Sequence, residues 1–394
     1  MKLKRSDRSL LSDWWYTIDR LMLPAVLLLM AGGLVLSLAA SPSVAERLGY
    51  DTFHFFKRHA AAFVPALMVL LGASLLAPRQ VRRVSLAVFV TGIVLMVATL
   101  LVGPETKGAT RWLRFGPLSV QPSEFVKPAF VVLSAWFFAE SQRRDDVPSL
   151  HIALLLYAVF VLLLILQPDF GQAFLVTMVW GALFFMAGMP LIWVYLLGGG
   201  MLAAIAAAYV LVPHVAARID SFFDPTGASG YQTRRALESF TSGGWFGKGP
   251  GEGTVKHLLP DSHADFVFAV VAEEFGLIAC LFIVGLFAFI VLRGFLLAFK
   301  DEDVFMRFAV SGLVMLFGLQ ALINMGVNVG LLPAKGMTLP FLSYGGSSLL
   351  SMALTMGFVL ALTRRRPQAG RRAAISGLAR PAASADDPQR GYRA

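Results

Sequence analysis

Ten apolar segments of membrane length constrain this 394-residue chain more than any other feature in it. They run roughly over 21–40, 60–77, 84–102, 123–139, 150–166, 170–188, 190–212, 265–292, 304–331 and 340–363. A helix needs about 20 apolar residues to cross the hydrocarbon core, and fewer when flanking residues snorkel. Hydrocarbon offers the backbone no hydrogen bonds, so each span must pair its own amides and carbonyls. The expected fold class is therefore an all-α polytopic membrane protein with about ten transmembrane helices. A content of 57% hydrophobic and 15% charged residues agrees. The fifth and sixth segments are parted only by Gln167-Pro168-Asp169-Phe170-Gly171.

An even number of crossings puts both termini on one side, and Lys and Arg decide which. The segments 1–20, 78–83, 140–149, 293–307 and 364–394 hold 21 of the 34 Lys and Arg. All are termini or short loops, the setting in which basic residues stay in the cytoplasm. Both termini are expected to be cytoplasmic, with 103–122 and a large loop over 213–264, between the seventh and eighth helices, outside. The net charge of +10 has the same origin, so no nucleic-acid partner is expected.

The chain divides into a cytoplasmic segment 1–20, a membrane domain 21–363 and a basic tail 364–394. Residues 1–20, with Trp14, Trp15 and three Asp, are too mixed for a signal peptide and suit a juxtamembrane anchor. The tail lacks the large apolar side chains needed to fold alone and is expected to be disordered. Its Arg364-Arg365-Arg366 cluster suits anionic membrane lipids. The one cysteine, Cys280, lies in an apolar run and reads as a core residue, which excludes a disulfide framework within the chain. No soluble catalytic domain is evident, so any chemistry falls to the helices and outer loops.

The leading candidate for chemistry is Asp265, a carboxylate at the mouth of the eighth span. Such a group is costly in a membrane unless paired or hydrated, which marks it as functional. The preceding loop carries Arg218, Arg234, Arg235, Lys248, Lys256, His257 and His263. Cations beside one potential base suit an anionic, lipid-linked substrate. A helix cap is the competing and compatible role, because Ser262-His263-Ala264-Asp265 fits a loose capping box. A helix starting near Pro260 would put Asp261 one turn before Asp265 on the same face. Glu273 and Glu274 lie two turns deeper, about 12 Å along the axis, and are expected to form a structural ion pair. Eight glycines between Gly227 and Gly253 imply a loop whose ordering is entropically costly and awaits a partner.

Other polar residues fall on spans. Ser123 is a candidate N-cap, followed by Glu124 and Lys127, three apart on one helix face and expected to pair. Arg111, Trp112 and Arg114 form an aromatic and basic rim before them. Gln320, Asn324 and Asn328, spaced by four, make an amide stripe suited to hydrogen bonds between helices. The run Gly330 to Ser348, with Pro333, Lys335, Pro340 and Ser343, reads as a broken entry into the last helix.

These residues carry a resemblance. Phe223-Asp224-Pro225, Tyr231-Gln232, Gly247-Lys248-Gly249, Gly251-Glu252-Gly253, Leu259-Pro260, His263-Ala264-Asp265-Phe266 and Glu273-Glu274-Phe275-Gly276 resemble the signature of the SEDS family of bacterial wall proteins. The run from Asn324 to Ser348 is similar to its second long motif. The form Pro333-Ala334-Lys335-Gly336-Met337-Thr338-Leu339-Pro340 looks more like the division branch than the elongation branch. One departure is Ala264, where many relatives carry Thr.

The resemblance implies a peptidoglycan glycosyltransferase that polymerises lipid II at the outer face of the bacterial inner membrane during septal wall synthesis. It implies a class B penicillin-binding protein and other division proteins as partners. Asp265 is then the expected general base, and Arg111, Glu124, Lys127, Lys248, Lys256, His263, Lys335 and Ser343 the candidate substrate-binding set. A prenyl pyrophosphate sugar brings its own leaving group, so no nucleotide is needed. Mg²⁺ or Mn²⁺ held with the substrate pyrophosphate is the one metal role considered, since no dedicated cage is evident. A lipid II flippase is the rival reading, but it needs polar features reachable from both faces, and here they crowd the outer one. An elongation-type paralogue would share the chemistry.

Overall fold

The structure is a computed structural model that describes residues 10–105, 109–116, 118–144, 146–188, 191–211, 216, 220, 228–259, 261–333 and 336–364. The chain forms two compact units, residues 19–363 and a small one of 1–18 with 364–394. In the small unit the described part is helix α1 (Leu10–Thr17), Ile18 and Arg364, whose Nε donates to Thr17 Oγ1 at 2.9 Å. The expected disorder of the tail falls, past Arg364, outside the described residues.

The large unit is built from helices α2 (Met22–Arg47), α3 (His54–Ser74), α4 (Pro78–Val102), α5 (Pro122–Ser141), α6 (Ser149–Leu166), α7 (Phe170–Met186), α8 (Leu191–Leu211), α9 (Ala228–Gly243), α10 (Val267–Phe299), α11 (Val304–Asn328) and α12 (Gly346–Leu362). All but α9 overlie the ten apolar segments in order, and six are long and apolar enough to cross a membrane. The protein is thus a helical, multi-pass membrane protein. Its helices separate two apolar faces rather than an apolar and a polar one. On α4, Val81, Ser85, Phe89, Gly92, Met96 and Thr99 are buried. Leu86, Val90, Val94, Val97 and Leu101 are exposed at helical spacing, as suits a face turned to lipid.

Between apolar helices no hydrophobic force favours contact over lipid, so close packing depends on small residues. A Cβ on Gly357 of α12 would stand 2.6 Å from Ala73 Cβ and 2.9 Å from the Leu70 carbonyl oxygen of α3. Glycine is what lets these two helices meet. On α4, Gly92 admits Val126 of α5 in the same way.

Three elements depart from the sequence reading. The segment between α4 and α5 contains a hairpin, β1 (Leu113–Phe115) antiparallel to β2 (Leu118–Val120), with Leu113 opposite Val120 and Gly116 at φ +59° in the turn. The large loop between α8 and α10 holds the amphipathic helix α9, packed against α10 and α11. The last helix starts at Gly346 rather than residue 340, because Phe341 lies at φ +65° and Ser343 Oγ accepts from Leu339 N at 2.8 Å, closing a turn instead.

The decisive irregularity is in α10. Gly276, at φ +78° and ψ 179°, breaks the helix. A break strands carbonyls before it and amides after it, and inside a membrane these must find partners. The loop after α9 supplies them. Lys248 N and Gly249 N donate to the carbonyls of Glu273 and Glu274 at 2.9 and 3.0 Å, and Leu277 N donates to Gly244 O at 2.9 Å. Ile278 N reaches Trp245 O at 3.3 Å. The approach is so close that a Cβ at Gly243, Gly247 or Gly276 would run into backbone. These glycines serve contact rather than freedom, and residues 243–256 are pinned to the helix.

Gly276→Ala tests the account. A side chain in this glycine-only region costs about 1–3 kcal/mol in strain, before any clash. The variant is expected to unfold at lower temperature in detergent and to be cut faster by protease within 244–256. Unchanged stability and unchanged cleavage would show that the break does not hold the loop.

Candidate functional site

Asp265 sits on a turn, not on a helix. Ala264 N and Asp265 N both donate to Asp261 O at 3.0 Å, with Asp261 at φ +53°. Helix α10 begins at Val267, and its N-cap Phe266 makes no side-chain bond. The capping box expected from Ser262 is not formed, and Asp261 and Asp265 are one turn apart on a loop instead of one helix face. The reason is a cap supplied from elsewhere: Asn328 Oδ1, at the end of α11, accepts from Ala269 N at 3.0 Å.

The amide stripe of α11 holds Asp265 directly. Its carbonyl oxygen accepts from Asn324 Nδ2 at 2.9 Å and from Asn328 Nδ2 at 3.0 Å. Asn324 Nδ2 also donates to Met337 O at 2.6 Å, and Asn328 Nδ2 to Asn324 O at 2.8 Å. The carboxylate itself is half-buried, with Oδ2 3.8 Å from where a Cβ on Gly336 would lie. Asp265 is thereby bracketed by α11 and the segment entering α12. Lys335, next in that segment, lies outside the described residues.

One turn of α11 deeper stands a buried ion pair. Helix α5 starts at Pro122, whose ring suits the first helical position, so Gln121 is the N-cap and Ser123 is not. Glu124 and Lys127 then share a face, and Lys127 Nζ lies 2.9 Å from Glu124 Oε1. Lys127 is fully buried and Glu124 nearly so. Gln172 Oε1 of α7 and Gln320 Oε1 of α11 each accept from the same ammonium at 2.9 Å. An ammonium has three protons, and all three are engaged. Lys127 was a candidate substrate ligand; the structure gives its hydrogen bonds to the protein. Gln172 Nε2 also donates to Glu124 Oε1 at 3.0 Å, while Oε2 has no partner among the described residues. Gln320 Nε2 donates to Thr338 O at 3.2 Å, tying this pair to the segment beside Asp265.

The other candidate cations are held similarly. Arg111 grips the turn between α6 and α7, donating to Gln167 O at 3.2 Å and to Pro168 O, with Asp169 Oδ1 at 3.6 Å. Burial pushes the Asp169 carboxyl up, against the opposing pull of Arg111. Lys256 is buried and pairs with Glu274, and its Nζ also donates to Gly251 O at 3.1 Å and Ala39 O at 3.3 Å. Glu273 accepts from three successive amides, Thr254 N, Val255 N and Lys256 N, at 2.6, 2.8 and 3.0 Å. Lys248, partly exposed, lies 3.6 Å from Glu273 Oε1. The expected pairing of Glu273 and Glu274 is thus met by the loop itself. Lys248 and Lys256 are drawn to these two carboxylates.

His263 stands nearer to Asp265 in kind as well as in sequence. Its ring packs on Phe55 of α3 at 4.4 Å and on Tyr344 at 5.3 Å between centroids. Its carbonyl accepts from Tyr344 N at 2.9 Å. Ser343 is buried with its hydroxyl engaged by Leu339 N. Sequence reasoning passed over Gln172 and Asp169; a lone amide and a lone carboxylate flanking a break between apolar runs were the available signal. Among the described residues no three His, Cys, Asp or Glu side chains converge as a metal site.

The fold and these clusters at the ends of its helices define a polytopic membrane protein of the SEDS type. The profile of the FtsW/RodA/SpoVE family, described as "Cell cycle protein", matches residues 19–368, and the chain belongs to that family. It is 48% identical over 366 residues to a protein of Caulobacter vibrioides named "Probable peptidoglycan glycosyltransferase FtsW", covering 93% of this chain and 94% of that one. A protein of the same name from Legionella pneumophila is 34% identical, covering 87% and 90%. Among solved structures, a chain of a peptidoglycan synthase complex aligns with a TM-score of 0.72 at 28% identity, covering 89% of this chain and 98% of its own. The rod shape determining protein RodA of Thermus thermophilus aligns at 0.67 and 28%, covering 89% and 97%.

The ion pair on α5 yields a test. Removing one partner of a buried pair typically costs about 3–5 kcal/mol, because the other charge is stranded. Glu124→Ala and Lys127→Ala are each expected to lower thermal stability in detergent, and the double change to cost well under their sum. Additive losses in this double-mutant cycle would remove the pair as a coupled unit.

Proposed function

We propose that this chain polymerises lipid II into glycan strands at the outer face of the bacterial inner membrane, with Asp265 as general base. The class of activity, a peptidoglycan glycosyltransferase, is the one its relatives bear by name, and it is favoured over lipid transport. The observation that carries the assignment of Asp265 is its turn: its carbonyl is fixed by two amides of α11 while Asn328 caps α10 in its place.

In this reading the acceptor sugar hydroxyl oxygen attacks the anomeric carbon of the donor and forms the new glycosidic bond. The bond from that carbon to the pyrophosphate oxygen breaks, and the prenyl pyrophosphate leaves with the electron pair. The hydroxyl proton passes to the Asp265 carboxylate. Attack opposite the leaving group inverts an α-linked donor to a β-1,4 linkage. Ten crossings with cytoplasmic termini, inferred from the distribution of Lys and Arg, put Asp265 at the outer surface. Mg²⁺ or Mn²⁺ would come with the substrate pyrophosphate. The partner in this reading is a class B penicillin-binding protein at the division septum, supported by a neighbour that belongs to a synthase complex.

Asp265→Asn replaces the base by an amide of nearly equal volume. The purified variant is expected to match the parent in thermal unfolding and to lose glycan polymerisation from lipid II by about 100-fold or more, the usual scale for removing a general base. Product formation near the parent's rate would refute the general base.

A further inference from the structure

Asn324 and Asn328 do more than join helices. We propose that they are positioning residues for the reaction: two side-chain amides that clamp the peptide carbonyl of Asp265 and so fix where its carboxylate is presented. The inference rests on the reading of Asp265 as the base.

Four observations carry it. Both amides are buried, Asn324 at 1% and Asn328 at 0% exposure. Their Nδ2 groups converge on one oxygen, Asp265 O, at 2.9 and 3.0 Å. A carbonyl with two lone pairs is then saturated by side chains alone. Asp265 N is bonded within its own turn to Asp261 O, so both peptide groups flanking the Asp265 α-carbon are fixed. Finally, each Asn has a second contact that sets its own orientation. Asn324 Nδ2 binds Met337 O, across from Asp265, and Asn328 Oδ1 caps Ala269 N of α10.

A bond between helices needs only one such contact. This arrangement instead ties three independent pieces, the Asp265 turn, the start of α10 and the segment at Met337, to one rigid row on α11. A turn residue outside a helix has no ladder to hold its φ and ψ, so its side chain is aimed only as well as its peptide groups are held. Proton transfer falls steeply when the base is displaced, and a misplacement of about 1 Å can lower a rate by about 100-fold. The pair therefore bears on turnover rather than on substrate capture.

The experiment uses purified full-length protein in detergent or nanodiscs, with lipid II as substrate and the penicillin-binding partner present in transpeptidase-dead form. Asn324→Ala removes a clamp amide and leaves the cap on α10. Asn328→Asp keeps an acceptor for Ala269 N and removes the amide donor to Asp265 O. Each is expected to lower kcat by about 10- to 100-fold, with KM within a factor of about two and with folded fraction confirmed by thermal unfolding. A variant whose loss vanishes when activity is normalised to folded protein would assign that Asn to stability alone and overturn the proposal for it. A rise in KM at constant kcat would overturn it too, by assigning the amide to substrate binding. Asp265→Asn runs alongside as the control that separates the two claims. Parent-like turnover there sinks the base and the clamp together. An inactive Asp265→Asn beside fully active Asn324→Ala and Asn328→Asp sinks the clamp alone.

Discussion

An ammonium taken out of water loses several kcal/mol of solvation, and the loss is offset only when each proton finds a well-placed acceptor. Lys127 meets this condition with three oxygens at 2.9 Å, drawn from α5, α7 and α11. The three helices cannot shift independently without uncovering a buried charge. Gln320, one of the three ligands, is also the first amide of the row that continues through Asn324 and Asn328 to Asp265. The geometry around Asp265 is therefore anchored at a buried charge. Such polar networks are rigid when satisfied and costly when broken, which suits a scaffold for the proposed base.

The second anchor is the break in α10. A helix interrupted at Gly276 would be untenable in hydrocarbon by itself, and a glycine-rich loop would be floppy by itself. Each supplies what the other lacks: the loop fills the vacant backbone positions of the helix, and the helix gives the loop a fixed template. Glu273 and Glu274 complete the union by binding loop amides and Lys256. A consequence is that α10 starts its first turn, just after Asp265, from a rigid base.

Much of this was legible in the sequence, and the failures share a cause. The ten apolar runs located ten helices because length and hydropathy are local properties. The Glu124 and Lys127 pair was readable because both lie on one helix. The end of the last loop was misjudged where Phe341 adopts a positive φ that no composition signals. The capping box at Ser262 failed because a better acceptor, Asn328, arrives from a helix 59 residues further along the chain. Hairpin and helix α9 were hidden in loops read for their charges, glycines and aromatic residues rather than for periodicity. What the sequence could not show was pairing across helices, and that is where the site is decided.

Pairing also changes the meaning of the cations. Read along the chain, Arg111, Lys248 and Lys256 are cations awaiting an anion, and only Lys127 has an evident partner. In the fold each stands beside its own carboxylate: Asp169, Glu124, Glu273 and Glu274 respectively. Four neutral pairs are tolerable in a membrane protein at rest, whereas four lone cations gathered at one site would repel one another and resist burial. The same neutrality limits how strongly these groups can draw a pyrophosphate. Their first role is to hold the frame.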